Sequence, residues 1–451
     1  MDQPSDTIAA LGTPAGTAAL AVVRISGPDT SRLAWEFFGG APPPRAARVG
    51  RYRDPSGAVL DQAVFTYYAG PQSYTGEDLL EISCHGNPYL VHRILEDLHA
   101  RGCRPAEPGE FTRRAFLNGR MDLSQAEAVM DVIHARSERA LQAAQRLLDG
   151  ALGRLLKPLT DGLVDALARV EAYIDFPEED LPPEDLAEVR RIVGEVAAGA
   201  SRLLATQRYG RLLRDGIRTV IVGEPNAGKS SLLNCLVGRD RAIVSPEPGT
   251  TRDYLEERVI AGPHCLRLVD TAGLNPAPGP VERLGIDRTR EQVAEADLIL
   301  LVLDATRPTP PLEPELLGRL KPGTALAVLN KKDLLHGPAA AVPPEGIEAV
   351  AVSALTGSGI NELSEAVGRL AEGLKPGLGE DAVAINARHA HALSQAGDCL
   401  GQALGKLDAG SPTELLASDL RGALSALGEI AGRIDNERVL DRLFAEFCIG
   451  K

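Results

Sequence analysis

The apolar positions change period along the chain, and the changes divide it. Residues 1 to about 120 read as mixed α/β. Runs at 18–25, 63–68 and 79–84 look like strands, and Pro88 opens a helix to about Arg101 with Leu90, Ile94, Leu95 and Leu98 on one face. From about Asp122 the period becomes 3.6, with apolar residues at 126, 129, 130, 133, 141, 144, 148, 152, 155, 159, 163, 166, 167 and 170. This predicts one long helix of nearly fifty residues, broken at 176–183 and followed by a second helix over about 184–214. Short apolar runs at 219–222, 266–269 and 325–329 then read as buried strands. After Lys375-Pro376-Gly377, helical spacing returns from Ile385 through Leu393, Leu400, Leu420 and Leu427 to Phe444. The spacing drifts off a strict heptad, which favours bundle packing over a coiled coil. The economical arrangement is an α/β domain inserted into an all-helical domain, behind an N-terminal α+β domain. The expected boundaries are 1–120, 121–215, 216–376 and 377–451.

Candidate chemistry concentrates in the inserted segment. The run at 219–222 leads into Gly223-Glu224-Pro225-Asn226-Ala227-Gly228-Lys229-Ser230-Ser231, and Leu232, Leu233 and Leu236 follow at helical spacing. That is a phosphate-binding P-loop in its required strand–loop–helix context. Its glycines let successive N–H groups point at phosphate oxygens, and the helix N-terminus adds partial positive charge. Lys229 would reach the β- and γ-phosphates, and the Ser230 hydroxyl would ligate Mg²⁺. Pro248-Gly249-Thr250-Thr251 offers a threonine hydroxyl to Mg²⁺ and γ-phosphate, the role assigned to Thr251. Asp270-Thr271-Ala272-Gly273 supplies a carboxylate for the metal's water shell and an N–H that senses the γ-phosphate. Asn330-Lys331-Lys332-Asp333 ends the strand at 325–329. Asp333 accepts from guanine N1–H and its exocyclic amine, a discrimination of roughly 10⁴-fold against a base lacking those donors. Ser353-Ala354 supplies an N–H for guanine O6. Four motifs at these spacings specify a GTP-binding domain. A water-orienting glutamine commonly follows the third motif, but Leu274 stands there; Glu282, a short loop away, is the candidate.

Bulk properties narrow the setting. No run of about 18 apolar residues predicts a membrane span, and the first residues lack the basic and apolar regions of a signal peptide. The six cysteines are scattered without a C-x-x-C pair, so a reduced, cytoplasmic setting is expected, with Cys84, Cys103, Cys235, Cys265 and Cys399 as small buried hydrophobes. A net charge of −14 does not describe a nucleic-acid binder by composition; any RNA contact needs a local basic patch.

The segments flanking the GTPase motifs are more specific than the motifs themselves. Asp6-Thr7-Ile8-Ala9-Ala10, Arg24-Ile25-Ser26-Gly27, Ser73-Tyr74-Thr75-Gly76-Glu77-Asp78, Cys84-His85-Gly86, Pro108-Gly109-Glu110-Phe111-Thr112, Arg114–Arg120, Asp122–Glu127 and the terminal Cys448-Ile449-Gly450-Lys451 together resemble the MnmE (TrmE) family of tRNA modification GTPases, over nearly the whole chain. The resemblance implies an N-terminal tetrahydrofolate-binding-like domain that makes a homodimer, with folate contacts at Arg24, Glu81, Arg120 and Lys451. Position 120 is commonly lysine in the family; arginine keeps the charge and changes the geometry. It implies a potassium-activated GTPase, with K⁺ held by Asn226 and the Ser245-Pro246-Glu247-Pro248-Gly249-Thr250 loop (Ser245, Glu247 and Thr250 as ligands). Glu282 matches the family's water-orienting glutamate, and Cys448 is a candidate nucleophile. The family works as a heterotetramer with a FAD-dependent partner, MnmG. It adds a carboxymethylaminomethyl or aminomethyl group to C5 of the wobble uridine of certain tRNAs, taking the carbon from 5-formyl- or 5,10-methylene-tetrahydrofolate. A ribosome-assembly GTPase would append a basic module, which the acidic balance opposes, and an effector switch would not bind folate.

Overall fold

A computed structural model of the chain describes residues 6–175, 184–240, 256–270, 290–374, 383–432, 440, 443–445 and 447–450. It divides into two compact units: 1–130 with 148–157 and 427–451, and 131–147 with 158–426.

In the first unit six strands form one sheet: β1 (Ile8–Leu11), β2 (Ala18–Ser26), β3 (Ala47–Arg53), β4 (Val59–Tyr68), β5 (Leu79–Gly86) and β6 (Arg104–Pro105). Their order is β3-β4-β5-β2-β1-β6, antiparallel except for β1 with β6. Strand alternation sends Val23, Ile25, Phe65, Leu80 and Ile82 into one core with helices α1 (Thr30–Phe38) and α2 (Pro88–Ala100). The same alternation puts Arg24 and its register partner Glu81 on the other face. Helix α2 buries Val91, Ile94 and Leu98, while Leu90 and Leu95 flank that line half-buried. All four predicted positions therefore contact this core, and Val91 joins them. On the second face, Phe111 of α3 (Glu110–Leu117) packs with Ile8, Ala10, Leu79 and Ala106. The chain's last described residues close this unit. Phe444 and Phe447 join Leu123, Ala126, Val129 and Leu440 in a cluster, and Ile449 bridges Pro108.

The single helix predicted from Asp122 is three: α4 (Leu123–His134), α5 (Glu138–Leu148) and α6 (Ala151–Asp175). Ser137 Oγ accepts the Ala140 N–H at 3.2 Å and starts α5, and Gly150, in the left-handed region at φ 78°, separates α5 from α6. Apolar periodicity runs through breaks of two or three residues, so it did not register them. The second predicted helix likewise splits into α7 (Glu184–Leu204) and α8 (Gln207–Asp215), at Thr206, whose hydroxyl reaches the Leu203 and Val383 carbonyls.

Between the helical halves lies a six-stranded sheet of β7 (Ile217–Gly223), β8 (Glu256–Ala261), β9 (His264–Asp270), β10 (Leu298–Asp304), β11 (Ala325–Asn330) and β12 (Ala349–Ala351). The order is β12-β11-β10-β7-β9-β8, parallel except for edge strand β8. Leu298, Leu300 and Val302 face one core with α9 (Lys229–Asp240) and α11 (Ile360–Gly373); Ile299, Leu301 and Leu303 face another, with Leu316 of α10 (Pro314–Arg319) packed against it. Burial on both faces explains why these strands read as continuous apolar runs. Helices α12 (Ala387–Asp408) and α13 (Thr413–Ala431) follow, and α12 packs along α7. This is a P-loop α/β domain inserted in a helical domain, behind an N-terminal α+β domain. Cys84, Cys103 and Cys265 are buried as expected, whereas Cys235 and Cys399 are only half-buried.

Candidate functional site

The nucleotide motifs meet at the C-terminal ends of β7, β10 and β11, the edge where open parallel sheets bind ligands. Gly223 leaves β7 at φ 150°, and a Cβ there would sit 2.2 Å from the Val302 carbonyl oxygen of the neighbouring strand. Only glycine permits that approach. Asn226 takes a left-handed conformation at φ 64° and is exposed, as are Ser230 and Ser231 at the start of α9; Ala227 is buried. Lys229 folds back over the loop, its Nζ donating to the Gly223 and Glu224 carbonyls at 2.9 and 2.8 Å. Phosphates would have to draw it off these carbonyls.

Asn330 joins three segments. Its Nδ2 donates to the Ala227 carbonyl at 2.9 Å, and its Oδ1 accepts the Ala354 N–H at 3.0 Å. Gly228 leaves space for that amide; a Cβ there would lie 2.2 Å from Nδ2. Of the Val352-Ser353-Ala354 run expected to supply an N–H to guanine O6, the Ala354 N–H is engaged by Asn330. Ser353 is fully buried, its Oγ accepting from Thr356 N at 3.1 Å. Asp333 stands exposed in the 3₁₀ turn Lys332–Leu334. Asp270 ends β9 as read, while Ser245–Thr251, Thr271–Gly273 and Glu282 lie outside the described residues.

One hydroxyl at a helix start does not hold a free divalent ion, and among the described residues no three His, Cys, Asp or Glu side chains cluster for a metal. Ser230 fits Mg²⁺ that arrives with phosphates and water as its other ligands. Asn226, exposed at the loop, fits the one side-chain ligand expected for K⁺.

The N-terminal residues converge on the sheet face away from α1 and α2. Arg24 Nε and Glu81 Oε1 are 2.9 Å apart, and the Tyr68 hydroxyl donates to Glu81 Oε2 at 3.3 Å. The Arg24 guanidinium lies 5.8 Å from the Tyr74 ring centroid and donates to the Gly450 carbonyl at 3.4 Å. Arg120 Nε donates to the Ser73 carbonyl at 3.1 Å, in the same loop as Tyr74. Arg24, Glu81, Arg120 and the chain end are therefore brought together; Lys451 lies outside the described residues. A cation, a carboxylate and an aromatic ring suit a flat, polar-edged heterocycle that bears carboxylates, as a folate is. Cys448 is exposed on the tail, its carbonyl accepting the Gly109 N–H at 3.3 Å.

Comparison with known proteins decides among GTPase families. Models of the MnmE helical domain and of the GTP-binding protein TrmE N-terminus match residues 123–448 and 7–120. A tRNA modification GTPase MnmE from Opitutus terrae is 57% identical over 447 residues, 99% of both chains. The chain belongs to the MnmE family of tRNA modification GTPases. A second member, from Akkermansia muciniphila, is 46% identical over 457 residues and covers both chains completely.

Two features of this MnmE chain escaped the motif reading. The first is Asp304, at the end of β10. Its Oδ2 lies 2.6 Å from Lys331 Nζ, and its Oδ1 accepts from Thr306 N and Oγ1. Burial raises this carboxyl, but Lys331 and Thr306 outweigh it and hold it at about 2. The pair is intact at any pH above the ordinary carboxylate range and is lost only as pH falls through about 2. Lys331 needs the anchor because it is a non-glycine residue at φ 66°. Asp304→Asn is expected to weaken GDP and GTP binding alike, by about tenfold. Titration with a fluorescent nucleotide measures this, and an unchanged affinity would mean Lys331 keeps its place unaided. The second is Arg114 on α3, which meets Glu110 one turn earlier on its own helix and two carboxylates distant in sequence, Asp6 and Glu77.

Proposed function

We propose that this chain hydrolyses GTP to drive modification of C5 of the wobble uridine in certain tRNAs, adding a carboxymethylaminomethyl or aminomethyl group. The observation that carries the GTP part is Asn330 tying Ala227 of the P-loop to Ala354 of the base-side loop, with Asp333 left free beside it. Family membership supports the tRNA part. In this reading a tetrahydrofolate derivative binds at Arg24, Glu81, Arg120 and Lys451 and supplies the carbon, a FAD-dependent MnmG partner supplies redox chemistry, and Cys448 is the candidate nucleophile. The chain acts as a cytoplasmic homodimer within a heterotetramer.

Potassium activation belongs to the same reading. Leu274 cannot orient water, so Glu282 does so, and a cation beside Asn226 takes the place of an arginine finger. Hydrolysis is expected to run at least about tenfold faster in KCl than in NaCl at matched ionic strength. Equal rates in the two salts would remove the potassium role. The larger proposal is tested by nucleoside analysis of tRNA from a strain deleted for this chain. Unchanged wobble uridines would refute it.

A further inference from the structure

Acidic residues outnumber basic ones, 62 to 48, yet four of the nine residues from 45 to 53 are arginines. Arg45, Arg48, Arg51 and Arg53 lie on or beside β3, the edge strand of the N-terminal sheet, and all four are exposed. Four other arginines of this unit, Arg24, Arg101, Arg104 and Arg114, each have a carboxylate oxygen within 2.9 Å. The β3 arginines have none among the described residues. Arg45, Arg48 and Arg53 donate instead to the backbone carbonyls of Gln72, Phe38 and Gly57, at 3.1, 2.7 and 2.9 Å. The Arg51 side chain makes no hydrogen bond or ion pair among the described residues.

Neighbouring carboxylates are committed elsewhere. Asp61 holds His85 at 2.8 Å, Glu36 holds Arg101 at 2.8 Å and Arg32 at 3.0 Å, and Asp54 accepts the Ser56 and Ala58 N–H groups. Charged residues on an edge strand also block strand addition. That use is met by one or two charges of either sign. It does not account for four of one sign, without counter-charges, in a chain of net charge −14.

Guanidinium groups with N–H donors to spare match phosphate oxygens, which they bind in pairs. At about 3.3 Å per residue, Arg48 to Arg53 covers roughly 16 Å, enough to follow several phosphates. Screening over about 8 Å at physiological salt keeps the chain's distant acidic charge from cancelling this local field. We propose that the β3 edge, through Arg45, Arg48, Arg51 and Arg53, is a contact surface for the phosphate backbone of the tRNA. The inference rests on the reading of tRNA as substrate.

The test uses the full chain, a labelled tRNA transcript and a salt series. Arg51→Glu alters charge without removing any contact and is expected to weaken binding five- to tenfold. Replacing all four arginines by glutamine is expected to weaken it at least thirtyfold. The slope of log K against log salt should become shallower by about two or more. GTP hydrolysis should not change in either variant, and thermal unfolding should not change in Arg51→Glu. If the fourfold variant unfolds, Arg51→Glu alone decides. Wild-type affinity and slope in the fourfold variant overturn the proposal, as does a wild-type chain that binds no tRNA at low salt. Nucleoside analysis of complemented deletion strains separates the parent reading. If wild type restores the modified uridine while the variants bind tRNA normally, only the surface is wrong. If wild type restores nothing, tRNA modification itself is wrong.

Discussion

Asp333→Asn is expected to lose GTP affinity by about 10³-fold or more and to gain xanthosine triphosphate in exchange. The carboxylate accepts two hydrogen bonds from guanine, whereas an amide presents a donor to one of those positions. Xanthine carries a carbonyl where guanine carries its amine, so the new donor finds an acceptor. The geometry isolates this effect. Asp333 is exposed in its 3₁₀ turn, while the structural work of the motif falls on Asn330 and Lys331, which hold the P-loop, Ala354 and Asp304. The substitution therefore removes base recognition and leaves the loops in place. Competition of GTP and xanthosine triphosphate against a fluorescent nucleotide reads the exchange. A variant that keeps wild-type GTP affinity would take guanine selection away from Asp333.

Arg114→Met is expected to destabilise the N-terminal unit by about 3–5 kcal/mol. The Arg114 side chain is 1% exposed and meets Asp6 at 2.7 Å, Glu110 at 2.9 Å and Glu77 at 3.2 Å. Glu77 in turn accepts from Ser26 Oγ at 2.8 Å, and Ser26 lies 2.7 Å from Thr75 Oγ1. Burial raises Glu110, but Arg104 and Arg114 hold it below the usual carboxylate range. Methionine fills most of the volume, leaves Glu77 without its cation and leaves Glu110 with Arg104 alone. Trp35, the chain's one tryptophan, sits on α1 in this unit, so its fluorescence in urea reports on this unit. The same network braces the loop that carries Tyr74 beside Arg24 and Ser73 beside Arg120. In the proposed reading, folate affinity should fall with stability, and nucleotide affinity should not. A midpoint within experimental scatter of wild type would mean the carboxylates find other partners.

Local patterns carried some of this and not the rest. Gly223, Gly228, Lys229, Asn330 and Asp333 were legible because a phosphate loop and a base-reading loop need fixed residue types at fixed spacings from a strand end. The antiparallel N-terminal sheet was only half legible. Strands β2 and β4 carry several β-branched or aromatic residues and β5 opens on an apolar run, but β1, β3 and β6 are short, or arginine- and glycine-bearing, and pair through contacts distant in sequence. The helix from Asp122 was over-read because an amphipathic stripe persists across the interruptions at Ser137 and Gly150.

The sequence by itself determined the insertion of an α/β domain between helical halves and the family. These depend on residue type, local spacing and apolar period, all properties of contiguous chain. Tertiary structure alone decided which groups meet: Asn330 with Ala227 and Ala354, Asp304 with Lys331, Arg114 with Asp6 and Glu77, and Gly450 with Arg24. It also decided which arginines go without a carboxylate. Pairing across a sheet depends on register and on burial, and neither is written in the order of residues along one strand.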